Sequence, residues 1–536
     1  MSAPRSFVMT RGRWRAAVAL VACVSTLAIV ATYPVFNQMW DEPATLAAGM
    51  EWLSTGAYHY EAHHPPLARI AAAVGPYLRG ARSTGNHSMY DEGRTLLGEG
   101  AHYRRTLFLA RLGMLPFFWL LLGVCVAWGA RIAGPAGGAT AALLVAANPN
   151  VLAHAAVAGT DLAPAAFVAA GLFAWMRWRE SPTTARAILL GATLGLAAVT
   201  KFSAIAFLGL AIALVEVVRV LMGRREGSSP RALIPSWPQL ALTILSACLA
   251  IWATYRFHVA PLSAGAVPVP APELFRGIAA FAKHGNGGHP AFLLGEVRLT
   301  GWWYYYFIVL AVKTPLPLLA LSVVGAVHAI RARRTEGWSA LVPLAGVVGV
   351  LVPSLLSHVD LGVRIVLAVY PFLALLGARG AITAWNTSGP AAAIAARRVA
   401  VAALLLVTTA IPLRAWPDYI AYFNPIAGEH PERILVDSNL DWGQDLYRLA
   451  DTVRARGIDS IRVHYFGSAN LSAVGLTNAR HLNRDERTTG WVAASETFLA
   501  GVWSDTSLRW LSRQTPVARI GPSMRLYHIE PDPVAH

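Results

Sequence analysis

Long apolar runs fill the chain from Ala16 to about Ala415, separated by short polar turns. About twenty consecutive apolar residues match the hydrocarbon thickness of a bilayer. Runs of this kind lie near 16–36, 107–130, 135–153, 162–177, 186–200, 203–222, 238–255, 303–330, 338–357, 361–379 and 399–415. They predict about eleven membrane-spanning helices. The run that ends at Lys201 is the shortest, and reading it as a separate pass keeps the later arginine clusters on one side.

Two intervening segments, 37–106 and 256–301, are too long to be simple connectors. In the first, Pro43 suits the first position of a helix, and Leu46, Met50 and Leu53 recur at helical spacing. This predicts a short amphipathic helix on the membrane surface. From Asp418 onward the pattern changes. Arg433 to Val436, Ser460 to Phe466, Trp491 to Ser495 and Met524 to Ile529 read as strands, and Gln444 to Arg456 reads as a helix with Leu446, Leu449 and Val453 on one face. The expected fold is therefore mainly α: a polytopic helix bundle over 1–417, followed by a small α/β domain over 418–536.

Composition agrees. Of 536 residues, 55% are hydrophobic and only 14% are charged, well below the quarter common in soluble domains. The net charge of +16 would suit nucleic acid, but the arginines occur in clusters between apolar runs, such as Arg177 with Arg179, and Arg331 with Arg333 and Arg334. That is the positive-inside pattern of a multi-pass protein of the plasma (inner) membrane, and no nucleic-acid partner is expected. It places the N-terminus in the cytoplasm, and the long loops and the C-terminal domain outside. Arg13 and Arg15 precede an apolar run without a small-residue cleavage site, so the first helix reads as retained. Cys23, Cys125 and Cys248 all lie in apolar runs and read as buried small hydrophobes.

Ionisable groups near the outer ends of the spans are the candidates for chemistry, because such groups are costly at membrane depth. Asp41 and Glu42 follow the first span. Either suits a general base, and both also suit capping of the helix that begins at Pro43. His64 precedes Pro65-Pro66, which stiffens the chain around it. Asp161 opens the fourth span, Lys201 closes the fifth, Lys313 lies within the eighth and Arg364 opens the tenth. These bases could surround an anionic head group on the outer face. The block Asp437-Ser438-Asn439-Leu440-Asp441-Trp442-Gly443-Gln444-Asp445 stands where an α/β unit places a binding loop.

Asp41-Glu42, His64-Pro65-Pro66-Leu67, Thr160-Asp161, Thr200-Lys201, Gly301-Trp302-Trp303-Tyr304-Tyr305 with Lys313-Thr314-Pro315, and the block from Asp437 to Leu446 resemble the polyprenyl-phosphate-dependent glycosyltransferases of the membrane-integral C (GT-C) superfamily. Protein O-mannosyltransferases and the aminoarabinose transferases of lipid A are members. The resemblance covers roughly 16–470. It implies inverting transfer of a sugar from a polyprenyl phosphate to an acceptor hydroxyl outside the membrane, on a glycan, lipid or protein. It implies Asp41 as base, with His64, Asp161, Lys201, Lys313 and Arg364 around the donor phosphate. Some relatives bind a divalent metal, for which Glu42 and His289 are the candidates. His64 stands where some aminoarabinose transferases have Lys, so their sugar specificity does not carry over. The alternative is a transporter or flippase of lipid-linked sugars, which would spread polar residues through the bilayer rather than along one face.

Overall fold

The computed structural model describes residues 11–60, 62–225, 235–483, 486–504 and 507–531. After α1 (Arg11–Val30), the first long loop holds α2 (Glu42–Thr55), α3 (Leu67–Leu78), α4 (Met89–Leu97) and α5 (Gly100–Leu112). Pro43 stands in the first turn of α2, as its fixed φ favours, and the helix stops at Gly56. The surface helix predicted here is instead buried from Glu42 to Glu51. Its small residues Ala44, Ala47, Ala48 and Gly49 let α3 and α4 pack closely around it.

α6 (Leu115–Ala146) breaks at Ala133 and Gly134. Gly134 takes φ 69°, a conformation that glycine adopts at no steric cost. The chain folds back there so tightly that a side chain at Gly129 would stand 2.7 Å from the Gly137 carbonyl oxygen. The two spans predicted on either side of this point form that hairpin. Next come α7 (Pro149–Ala155), α8 (Leu162–Glu180), α9 (Thr184–Ala198), α10 (Ser203–Arg225) and α11 (Trp237–Thr254). The second long loop contains the hairpin β1 (Val259–Pro261) and β2 (Pro268–Pro270), then α12 (Pro272–Gly287), then the hairpin β3 (Ala291–Leu293) and β4 (Glu296–Arg298).

The predicted eighth span is two helices, α13 (Tyr305–Lys313) and α14 (Leu316–Ala332), bent by 115°. Pro315 and Pro317 lack the N–H groups that a continuous helix needs at these positions. The bundle closes with α15 (Val342–Leu355), α16 (Tyr370–Asn386) and α17 (Ala391–Ala415). Among the described residues, seven helical stretches are long and apolar enough to cross a membrane, or eight if the bent pair is one span. The eleven predicted segments are all helical in whole or in part. The counts differ because the α6 hairpin scores once, α9 has only 15 residues, and α8 ends in Arg177, Arg179 and Glu180.

Beyond α17 the chain forms α18 (Leu446–Ala455) and five further strands, β5 (Ile461–His464), β6 (Ala479–His481), β7 (Gly490–Ser495), β8 (Ala518–Ile520) and β9 (Met524–Ile529). These make one sheet in the order β6-β5-β7-β9-β8, parallel on the β6-β5-β7 side and antiparallel on the other. The predicted strand at Arg433 to Val436 is absent; 3-10 turns at Pro431–Arg433 and Asp437–Asn439 occupy and flank it. One buried apolar cluster runs without interruption from Phe36 and Trp128 in the helical part through Trp442 and Leu446 to Val463 and Leu526 of the sheet.

Candidate active site

The chain around Asp41 is positioned by residues some 400 positions away. Asn37 donates through Nδ2 to Gly443 O at 2.7 Å and accepts from Leu446 N at 2.8 Å. Trp40 N donates to Trp442 O at 3.0 Å, and Ser468 Oγ donates to Trp40 O at 2.8 Å. The Trp40 ring stacks on Phe466 at 4.9 Å, and its indole N–H donates to Tyr90 OH at 2.8 Å. Asp41 stands at the N-terminus of α2 without making a side-chain capping bond. Its carboxylate instead takes a hydrogen bond from Arg364 Nη1 at 2.5 Å.

Arg364 ends the 3-10 turn Gly362–Arg364, which Asn439 anchors. Val363 N donates to Asn439 Oδ1 at 3.0 Å. Gly362, at φ 78°, lies so close that a side chain there would meet Asn439 Nδ2 at 2.4 Å. The Arg364 guanidinium also lies 4.8 Å from the ring centre of buried Trp442, a cation–π contact. Trp442 therefore packs under Arg364 while its carbonyl holds Trp40, so one residue sets both partners of the Asp41–Arg364 pair.

A second ion pair lies close by. Lys201 Nζ donates to Asp161 Oδ1 at 2.6 Å, with both residues buried. Asp41, His64, Asp161, Lys201, His289 and Arg364 all line one cavity of about 650 Å³. Asp437 and Trp442 of the block before α18 line it too. Its other wall is apolar and comes from α10 and α15: Ala206, Phe207, Pro353 and the exposed Leu356 just beyond α15. A charged end joined to an apolar wall suits an amphiphile with an anionic head. Histidines 63, 64, 284, 289 and 358 also line the space, and the His63 and His284 rings stack at 4.8 Å. His289 is held below its ordinary value by burial, opposed by the nearby Asp437 charge.

Two expected site residues are not at this cavity. Glu42 is buried and makes a bidentate pair with Arg111, through Nε and Nη2, both at 2.8 Å. Its oxygens also accept from Met39 N at 2.8 Å and Ala158 N at 2.9 Å. Four donors fill the roughly four lone-pair sites of a carboxylate, which leaves Glu42 none for a metal or a substrate hydroxyl. Lys313 is fully buried, and its Nζ donates to Ile420 O and Asn439 O, both at 2.7 Å. Among the described residues, no three His, Cys, Asp or Glu side chains are grouped to hold a metal ion. His289 lines the cavity, but its Nδ1 lies 3.0 Å from Pro290 O.

Sequence reasoning missed Arg111, Asn439 and Trp442 as determinants of the site. Arg111 carried a signal, being an arginine inside a predicted span. Asn439 and Trp442 stand in the block singled out as a binding loop, but their individual roles carried no signal, because their partners are distant in sequence.

No protein-family model matches the sequence, and no curated protein does. Solved structures do match. The crystal structure of ArnT from Cupriavidus metallidurans bound to undecaprenyl phosphate is 14% identical, covers 95% of this chain and 97% of its own, and superposes with a TM-score of 0.54. The Archaeoglobus fulgidus oligosaccharyltransferase tethered to an acceptor peptide is 9% identical over 95% of this chain and 72% of its own, with a TM-score of 0.54. The same enzyme with an inhibitory peptide and a dolichol-phosphate gives 11% identity, coverage of 91% and 71%, and a TM-score of 0.50. The chain has a GT-C fold. At these identities the likeness concerns the fold. Within this fold, the charged cavity lies between the first loop, the N-terminal ends of α8 and α10, and the block before α18.

Proposed function

We propose that this protein is an inverting membrane glycosyltransferase that moves a sugar from a polyprenyl phosphate to an acceptor hydroxyl on the extracytoplasmic face. The observation that carries the reading is the cavity in which Asp41, Asp161, Lys201 and Arg364 meet beside an apolar wall. The neighbours add support, since ArnT was solved with undecaprenyl phosphate and the oligosaccharyltransferase with a dolichol-phosphate. The arginine clusters support a cytoplasmic N-terminus in the inner membrane, with residues 418–536 outside.

In this mechanism the polyprenyl chain lies along α10 and α15, and its phosphate meets Arg364 and Lys201. Without donor, Arg364 holds the Asp41 carboxylate in an ion pair. The donor phosphate competes for the guanidinium and turns Asp41 towards the acceptor. The acceptor oxygen attacks the anomeric carbon from the face opposite the phosphate, and its proton passes to Asp41. The bond from the anomeric carbon to the phosphate oxygen breaks, and its electron pair leaves with the polyprenyl phosphate. No general acid is needed, because a phosphate leaves without protonation, unlike the alkoxide that a glycosidase must protonate. Arg364 and Lys201 stabilise the charge that develops on it.

Mass spectrometry of lipid extracted from the purified protein tests the donor assignment. A co-purifying polyprenyl phosphate, retained by the wild type and depleted in a Lys201→Met and Arg364→Ala double variant, is the expected result. Equal retention by both proteins would refute the phosphate site.

A further inference from the structure

The second long loop carries a surface that the proposed reaction leaves without a role. Its hairpin β1–β2 is exposed along both strands, and Val267 beside the tip is 81% exposed. From Val259 to Ala271 no side chain is charged, and Ser263 alone can make a side-chain hydrogen bond. Phe257, Val259 and Leu262 are exposed in the same segment. Phe275 and Ile278, in the first half of the adjoining α12, are exposed too. Apolar surface of this kind marks contact with a protein or a membrane.

What lies beneath the hairpin decides between the two. Tyr255 and Ala271, at its two ends, are buried together with Val199, and Leu196, Ile251 and Trp252 pack around them. Leu196 belongs to the last turn of α9, and Ile251 and Trp252 to the last turn of α11. The hairpin is therefore rooted where two helices of the membrane bundle end. α11 is long and apolar enough to cross the bilayer, and its Ile244, Leu245 and Leu249 are exposed. Phe257 and Val259 follow shortly after its end at Thr254 and continue that lipid-facing surface.

Charged groups gather at the root. Arg256 Nη2 donates to Leu53 O at 3.2 Å, Arg276 Nη2 donates to Pro261 O at 2.8 Å, and His258 Nδ1 lies 2.6 Å from Glu273 Oε1. The backbone of the hairpin also suits a poorly hydrated layer. Pro261, Pro268, Pro270 and Pro272 have no N–H to leave unsatisfied there. A protein interface carries roughly one hydrogen bond per 100–200 Å², and this segment lacks the side chains for it.

We propose that the β1–β2 hairpin and the first half of α12 form an interfacial anchor. They lie in the head-group and upper acyl region of the leaflet that borders the cavity. The second half of α12 contributes Phe281, Ala282 and His284 to the cavity wall. The bilayer thus holds one wall of the cavity in place, whichever substrate the cavity takes.

Collisional quenching on the full-length protein in phosphatidylcholine vesicles tests this. The exposed Cys23 and Cys248 are replaced by alanine, and buried Cys125 is kept. An NBD fluorophore is attached at Val267→Cys, and in a separate control at Ser460→Cys, exposed before β5 in the sheet domain. The label at 267 should lose most of its emission to phosphatidylcholine spin-labelled high on the acyl chain. Iodide should quench it several-fold less than the control. A label at Ala264→Cys should behave like 267, and should become iodide-quenched once Leu262→Asp and Val267→Asp are added. Both sites are exposed, so these changes leave the core intact. Iodide quenching at 267 equal to the control overturns the anchor. Protection at 267 from both quenchers means that protein covers the hairpin, a second copy included, and also overturns it. Unchanged lipid quenching at 264 in the double-aspartate variant overturns the apolar contact as its cause.

Discussion

Arg364 and Asp41, separated by 323 positions in sequence, form an ion pair at 2.5 Å inside the cavity. The pair joins the proposed base to the proposed phosphate anchor, so the two roles are exchanged on one guanidinium. Arg364→Ala should lower kcat by roughly 100- to 1,000-fold, the usual loss when one preorganised charge stabiliser is removed. Arg364→Lys should recover part of this, because charge remains while the planar fork and the stacking on Trp442 are lost. Steady-state assays with a polyprenyl-phosphate sugar provide the check, and wild-type kcat in the alanine variant would remove Arg364 from the mechanism.

Glu42 is buried in a bidentate pair with Arg111 and does not line the cavity, and we propose a scaffold role for it. Glu42→Gln leaves Arg111 buried with a neutral partner, and breaking a buried pair costs about 3–5 kcal/mol. The expected outcome is a lower Tm and a lower yield, with near-normal turnover per folded molecule at low temperature. A stable but inactive Glu42→Gln protein would return Glu42 to the catalytic set.

Lys313 separates phosphate binding from structure in the same manner. Lys313→Met strips Ile420 O and Asn439 O of their donor, and Asn439 is what anchors the Arg364 turn. Tm and kcat should both fall, while the folded fraction binds undecaprenyl phosphate with nearly the wild-type affinity. Lost lipid affinity at unchanged Tm would mean that Lys313 contacts the phosphate after all.

The sequence made the spans legible because each is a contiguous apolar run, and α1, α10, α11 and α17 needed little else. It also marked Asp41, Asp161, Lys201 and Arg364, since ionisable groups at span ends are few. Local pattern could not tell Asp41 from Glu42, and only the family resemblance singled out Asp41 as the base. The neighbours have the same local pattern, and what divides them is Arg111 and Ala158 on one side and Arg364 on the other. Lys313, expected at the phosphate, is not at the cavity for a related reason: its two carbonyl partners come from the segment after α17, which no periodicity reveals. The short strands β6 and β8 escaped notice because three residues hold no alternation to read.

Stability should depend on pH through Asp441, whose carboxyl burial pushes up to about 7 against the hydrogen bonds from Thr497 and Gly443. The unfolded chain loses this proton near 3.8. Between these values the folded state binds more protons, so stability falls as pH rises from about 4 to 7 and levels off outside that window. Asp445, raised by burial to about 6, adds to the same trend. Thermal unfolding of Asp441→Asn across this range should show a shallower decline than the wild type, and an unchanged slope would deny Asp441 its part.

In the proposed mechanism Asp41 removes the proton from the acceptor while Arg364 and Lys201 hold the donor. The direct measurement is sugar transfer by purified Asp41→Asn protein in detergent, with donor binding measured on the same sample. The variant should retain polyprenyl-phosphate binding and lose transfer at least about 100-fold, the lower bound of what a positioned base contributes. Transfer at the wild-type rate by a folded, donor-bound Asp41→Asn protein would contradict it.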